Sequence, residues 1–155
     1  MRRKDREITD MSEIVSILKR CKSVDLAFFD EKYPYIVPMN FGLSYENERL
    51  TLYFHCANSG KKLELMKKNR HVCFEGDCSL SLVKGNEACT YTMEFESVVG
   101  FGKAEIITEN KLEALTLIMR QYSPAESYDF NERAVKFLTV FKIEVDSVTG
   151  KRLKK

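Results

Sequence analysis

The run from Tyr91 to Phe101 alternates apolar and polar side chains for longer than any other stretch, and it leads into Gly100-Phe101-Gly102. Alternation with a period of two describes a strand with two distinct faces. Glycines at its end favour a bend, as the corner of a barrel requires. Tyr91, Met93, Phe95, Ser97, Val99 and Phe101 share one face, and that apolar row is expected to pack inward. Ser97 is then either a small core residue with a local hydrogen bond or a ligand donor.

The other segments fit the same kind of sheet. Met11, Ile14, Val15 and Leu18 recur at helical spacing, which predicts a helix from Thr9 to Arg20. Leu26 to Phe29 and Tyr35 to Phe41 read as strands joined by the turn at Asp30-Glu31-Lys32, a hairpin. Pro38 has no N–H for a ladder, so the second strand is broken, bulged or at an edge there. Ser44 to Arg49 reads as a polar turn. Leu50 to His55 alternates, with Leu50, Leu52 and Phe54 opposite Thr51, Tyr53 and His55. A short helix follows from Gly60 to Lys68, with Leu63 and Met66 inward and Asn69 as its stop. His71 to Glu75 and Leu80 to Val83 are two shorter strands. Thr108 would cap a helix carrying Leu112, Leu115, Met119 and Tyr122. Another short helix spans Asn131 to Leu138, and Phe141, Ile143 and Val145 close the chain as a strand.

Strands interspersed with helices, without βαβ alternation, indicate an α+β, mainly β barrel of six to seven antiparallel strands. At 155 residues and 44% hydrophobic, residues 1–155 suit a single domain with a real core. Charged residues make up 31% of the chain, yet the net charge is only +2. Such a balance argues against a dedicated nucleic-acid binder. The basic ends, Arg2-Arg3-Lys4 and Lys151-Arg152-Leu153-Lys154-Lys155, read as solvated termini. No apolar run has the length of a membrane span and no signal-peptide core follows the first arginines, so a cytoplasmic protein is expected. Five cysteines without a C-x-x-C pair, beside two histidines, read as reduced thiols rather than a disulfide framework or zinc site.

Chemistry concentrates in Tyr53-Phe54-His55-Cys56-Ala57-Asn58-Ser59-Gly60-Lys61-Lys62, where a strand pattern passes into a helix pattern. The first N–H groups of a helix lack intrahelical partners and carry partial positive charge. With Ser59 as a possible N-cap and donor, and Lys61 and Lys62 as cations, the junction suits a phosphate. The other reading is an ordinary turn with solvated lysines. Walker and Rossmann glycine spacings are absent from it.

Four motifs in order resemble the FMN-binding split barrels related to pyridoxamine 5′-phosphate oxidase, and within them the 5-nitroimidazole-resistance branch. They are Pro34-Tyr35-Ile36-Val37-Pro38-Met39-Asn40-Phe41-Gly42, then Leu52 to Ala57 leading to Gly60-Lys61-Lys62, then Ser97 to Ala104, and finally Thr149-Gly150-Lys151. The resemblance implies a homodimer with a flavin in each of two interface clefts. It implies that Val37, Pro38, Met39 and Asn40 lie along the isoalloxazine and that His55, Cys56 and Ala57 pass beside ring and ribityl chain. Ser59, Lys61 and Lys62 would hold the phosphate, and Ser97 would reach the flavin of either subunit. The chain departs from the true oxidases at its end, Val148-Thr149-Gly150-Lys151-Arg152-Leu153, which lacks their substrate-binding arginine segment and a late histidine. Tyr35 stands where such oxidases place an arginine before the flavin.

The function so implied is reduction of a small planar acceptor, nitroreductase-like, by an FMN enzyme drawing electrons from NAD(P)H. Histidine exchanges protons near neutrality, so His55 is the candidate proton donor, or else a structural contact. Cys56 is either redox-active or a small buried filler. Two alternatives belong to other classes: a flavin carrier or sensor without catalysis, and a haem protein with His55 or His71 as axial ligand.

Overall fold

In the computed structural model, which describes residues 2–154, a two-residue strand β1 (Glu7–Ile8) precedes the first helix, α1 (Met11–Arg20). Met1 and Lys155, the ends of the expected domain and of the basic tail, lie outside the described residues. Asp10 caps α1 by accepting a 2.9 Å hydrogen bond from the Glu13 amide, and the helix buries Ile14, Val15, Ile17 and Leu18. The expected hairpin follows as β2 (Val24–Phe28) and β3 (Tyr35–Met39).

The polar segment expected as a turn is mostly strand: β4 (Gly42–Glu46) pairs with β5 (Arg49–Ala57), leaving only Asn47-Glu48 as the loop. Both loop residues have positive φ, +49° and +64°, the backbone of a tight two-residue hairpin. Glutamate is unusual there, which hid the hairpin. Next comes α2 (Lys61–Lys68), ending at Asn69 as expected. The two short strands after it are one, β6 (His71–Val83), interrupted by a bulge between Cys78 and Ser81. The chain continues through β7 (Thr92–Ile107), α3 (Lys111–Tyr122), α4 (Glu132–Lys136) and β8 (Leu138–Leu153). The N-cap of α3 is Asn110 in the left-handed conformation, not Thr108, and α3 buries Ala114, Leu115 and Ile118 while Leu112 and Met119 stay exposed.

All strand pairs are antiparallel, in the order β3-β2-β6-β7-β8-β5-β4, with β1 added on β8. The edge strands β3 and β4 are joined by Asn40 and Phe41 alone, a connection that reaches about 11 Å at most. The sheet has therefore curled until its edges meet at that end without pairing. It is a split barrel. Phe28, Phe41, Phe54, Phe74 and Phe141 fill the interior, with Phe54 stacked on Phe141 at 5.0 Å between centroids.

The faces of β7 are the reverse of the expected ones. Glu96, Val98, Gly100, Gly102 and Ala104 point inward, and the row of Met93, Phe95, Ser97, Val99 and Phe101 points out. Phe74 explains this: a Cβ at Gly100 would lie 2.2 Å from its ring, so large side chains have no room inside. The glycines do mark a bend, since the β7–β8 register shifts between Phe101 and Gly102.

Outside the barrel, α3 lies on β4 so closely that a Cβ at Gly42 would sit 2.4 Å from the backbone of Leu117 and Ile118. The Tyr122 hydroxyl anchors the end of α3, accepting from the Phe41 amide and donating to the Lys22 carbonyl. Gly42→Ala must push α3 off the sheet, an overpacking cost of about 1–3 kcal/mol. Urea denaturation would register it, and wild-type stability in G42A would contradict this packing.

Candidate functional site

Three pieces meet at one end of the split. Asn58 fixes the loop after β5 by accepting a 2.9 Å hydrogen bond from the Thr139 hydroxyl, and its amide reaches the Lys136 carbonyl. Helix α2 starts from this loop and turns its first lysine toward the β2–β3 hairpin. Lys61 Nζ is 2.5 Å from an Asp30 carboxylate oxygen and 4.9 Å from the centre of the Tyr35 ring. The lysine thereby joins the loop to the start of β3, where the oxidase-type arginine is missing. Its hydrogen bond holds the Asp30 carboxyl below the usual carboxylate range.

The N-cap of α2 is Gly60, not Ser59. Its φ of +134° suits glycine alone, no side chain caps the helix, and a Cβ there would meet nothing within 4 Å. The Gly60 carbonyl accepts from the amides of Leu63 and Glu64, which leaves the N–H groups of Lys61 and Lys62 as the uncapped positive end. Lys62 is half-buried and close to Cys56. Cys56 is buried, and burial pushes its thiol up against the opposing charge of Lys62.

On β3, pairing on one side only, with β2, leaves the other backbone edge free at Val37, Pro38 and Met39, and Pro38 stands opposite Asp25. Asn40 follows the strand and donates to the Lys22 carbonyl at 3.1 Å. His55 and Ala57 lie exposed on the outer face of β5, in register with Val140 and Leu138. His71 is held elsewhere, its Nδ1 3.1 Å from Asn69 Oδ1.

Ser97 is not part of this group. It stands between Asp77 and Lys151 on the outer face of β7, and it is no core residue. The row through His55 and Val140 reaches β7 at Ile107, a strand path of about 30 Å from Ser97. Two participants escaped the sequence reading: Asp30, visible only as an acid in a turn, and Asn58, whose signal was an Asx residue just before a helix.

Beside the hairpin, an apolar cavity of about 550 Å³ is lined by Phe29, Tyr33, Pro34, His71, Cys73 and Phe101, with Asp30 on its wall. Such a volume suits a small organic molecule. A more polar cavity of about 600 Å³ lies far from this chemistry, between the N-terminal arm and the end of β8.

Residues 10–152 match the model of the pyridoxamine 5′-phosphate oxidase family. The chain belongs to that family. A solved structure from Bacteroides thetaiotaomicron, of a protein with a proposed role in 5-nitroimidazole antibiotic resistance, is 37% identical, covering 94% of this chain and 85% of that one at a TM-score of 0.79. The resemblance to this branch of the family, read from four motifs, is thus borne out. A flavocytochrome from Azotobacter vinelandii is 17% identical (100% of this chain and 72% of that one, TM-score 0.82), and an FAD- and haem-binding protein from Mycobacterium smegmatis is 14% identical (97% and 74%, TM-score 0.85). Those two share the fold. Among curated proteins, none matches the sequence significantly. No helix among the described residues is long and apolar enough to cross a membrane.

Proposed function

We propose that this chain binds FMN at the split, as a homodimer, and reduces a small planar acceptor of nitroaromatic type with electrons from NAD(P)H. One observation carries the reading: an uncapped helix start with two lysines lies beside the free edge of β3, joined to it by Lys61 on Tyr35. The donor set fits a phosphate monoester, which the N–H groups of Lys61 and Lys62, the two ammonium groups and the Ser59 hydroxyl would hold. A bound flavin would supply the two-electron chemistry.

The chain's own residues supply position and protons. The edge of β3 from Val37 to Asn40 offers carbonyls and N–H groups, Pro38 excepted, to the polar rim of a planar ring. Ala57 is small enough for a ring to pass close to β5, with Cys56 as packing behind it. His55, exposed on the same strand, is the proton donor for the acceptor.

Dimerisation is supported by the outer face. Ile36, Ala27, Cys73 and Phe101 follow one another in register across four strands, and Ile36 and Phe101 are 58% and 55% exposed. A continuous apolar row of this kind marks a surface that another chain covers. A partner copy would also account for Ser97, which a flavin of the same protomer does not reach.

The absorbance spectrum of freshly purified protein tests the reading first. Paired bands near ~370 and ~450 nm, with FMN released on heating, are expected. A haem spectrum would replace this reading with the haem alternative, and a colourless protein that takes up no added FMN would end it. Oxidation of NAD(P)H with a nitroaromatic separates enzyme from carrier. His55→Ala should lower turnover more than FMN retention, and equal losses would reduce His55 to a binding role.

A further inference from the structure

Two cysteines that the proposed chemistry does not use share one hydrogen-bond acceptor. The Cys21 sulfur, at the C-cap of α1, lies 3.4 Å from the Ile17 carbonyl oxygen, and the Cys78 sulfur, from β6, lies 3.8 Å from the same atom. Cys21 also presses against β6 itself: a Cβ at Gly76, two residues before Cys78 on the same face, would be 3.3 Å from its sulfur. We propose that Cys78 and Cys21 are a peroxide-oxidised pair that closes to a disulfide across the α1–β6 contact.

The two thiols divide the labour. Cys78 is the accessible one, only partly buried, and it lies next to the Arg20 guanidinium that pairs with Glu96. Glu96 lies on the other side, its carboxylate 4.0 Å from the sulfur, but that carboxylate already accepts from Arg20, Arg152 and Ser79. Cys21 is fully buried, and desolvation first, then the Cys78 sulfur, pushes its thiol up to about 12. It is the resolving partner and the slow one. The ladder to β7 breaks directly after Cys78, and Ser79 has a φ of +59°, so β6 can give locally as the bond closes.

The chemistry balances with a hydroperoxide as oxidant. The Cys78 thiolate attacks the outer oxygen, the O–O bond breaks, and water or an alcohol leaves, with sulfenic acid on Cys78. The Cys21 sulfur then attacks the Cys78 sulfur, its proton goes to the departing oxygen, and water leaves. Two thiols lose two electrons and the hydroperoxide gains them.

Exposure alone would predict a different target. Cys89 is the exposed thiol, it hydrogen-bonds the Glu87 carboxylate, and no second cysteine is placed beside it by the contacts described. The full-length protein, treated with hydrogen peroxide and mapped by non-reducing proteolysis and mass spectrometry, should yield Cys21 linked to Cys78. Titratable thiols in denaturant should fall by two, and a dithiol should restore them. In Cys21→Ser, Cys78 should stop at sulfenic acid, which dimedone traps. Cys78→Ser, at a partly exposed position, should keep all its remaining thiols under the same treatment, and this variant decides the matter if C21S fails to fold. The linked protein should melt several degrees higher, because the bond closes a long loop. Oxidation confined to Cys89, a link from Cys78 to another cysteine, or equal thiol loss in C78S would overturn the proposal.

Discussion

Glu96→Gln is expected to destabilise the fold by about 3 kcal/mol at neutral pH, the low end of the range for breaking a buried charge pair. Glu96 is the charged side chain buried among the described residues, 3% exposed on the inward face of β7. Arg20 and Arg152 each donate to it at 2.6 Å and the Ser79 hydroxyl at 2.9 Å, so one carboxylate ties α1, β6, β7 and β8 together. Glutamine keeps the size but turns an NH₂ toward one of two guanidinium groups. Burial by itself would raise the Glu96 carboxyl, yet the hydrogen bonds from Arg20, Ser79 and Arg152 outweigh it and hold it at about 2.

That depression fixes the pH dependence. A carboxyl near 4.5 in the unfolded chain and about 2 in the fold stabilises above pH 4.5, and its contribution is lost as pH falls from there toward 2. The span is worth about 3 kcal/mol at 1.36 kcal/mol per pH unit. Urea unfolding at pH 7 and at pH 3 should show the wild type losing more stability than E96Q. Parallel losses in the two proteins would mean that other acids, such as Asp10, Asp30 and Glu144, whose carboxyls are also lowered, govern the acid limb.

What the sequence revealed, and what it hid, follows from how far each contact reaches. The amphipathic face of α1, the alternation of β5 and the stop of α2 at Asn69 depend on near neighbours, and all three read correctly. The faces of β7 depend on Phe74, a residue on another strand, and on the diameter of a barrel that periodicity does not report. Glu96 sat in plain view as an acid in a strand, but only the two distant arginines make it an inward one. The helix start at Lys61 and Lys62 was local and read correctly, whereas the expected cap, Ser59, came from preferring a hydroxyl over the positive φ that Gly60 supplies. Ser97, expected in the core or at the ligand, instead stands on the outer face of β7 away from the loop, because the faces of β7 are reversed.

Removing both Lys61 and Lys62 should weaken FMN binding by about 2–4 kcal/mol, roughly 30- to 1,000-fold, with little change in stability. The two lysines are not equivalent. Lys61 already neutralises Asp30, so phosphate must compete with that carboxylate for it, whereas Lys62 lies half-buried beside Cys56 with no carboxylate on its ammonium among the described contacts. Lys62→Ala should therefore cost more than Lys61→Ala. By the same reasoning Asp30→Asn, which frees Lys61, should tighten FMN. Quenching of flavin fluorescence measures all four variants, and riboflavin, lacking the phosphate, serves as the control: its affinity should not respond to the double substitution. If FMN affinity were unchanged in the double variant, the start of α2 would not hold the phosphate. If riboflavin weakened as much as FMN, the lysines would be supporting the ring or the fold instead, and the uncapped helix would be an ordinary turn.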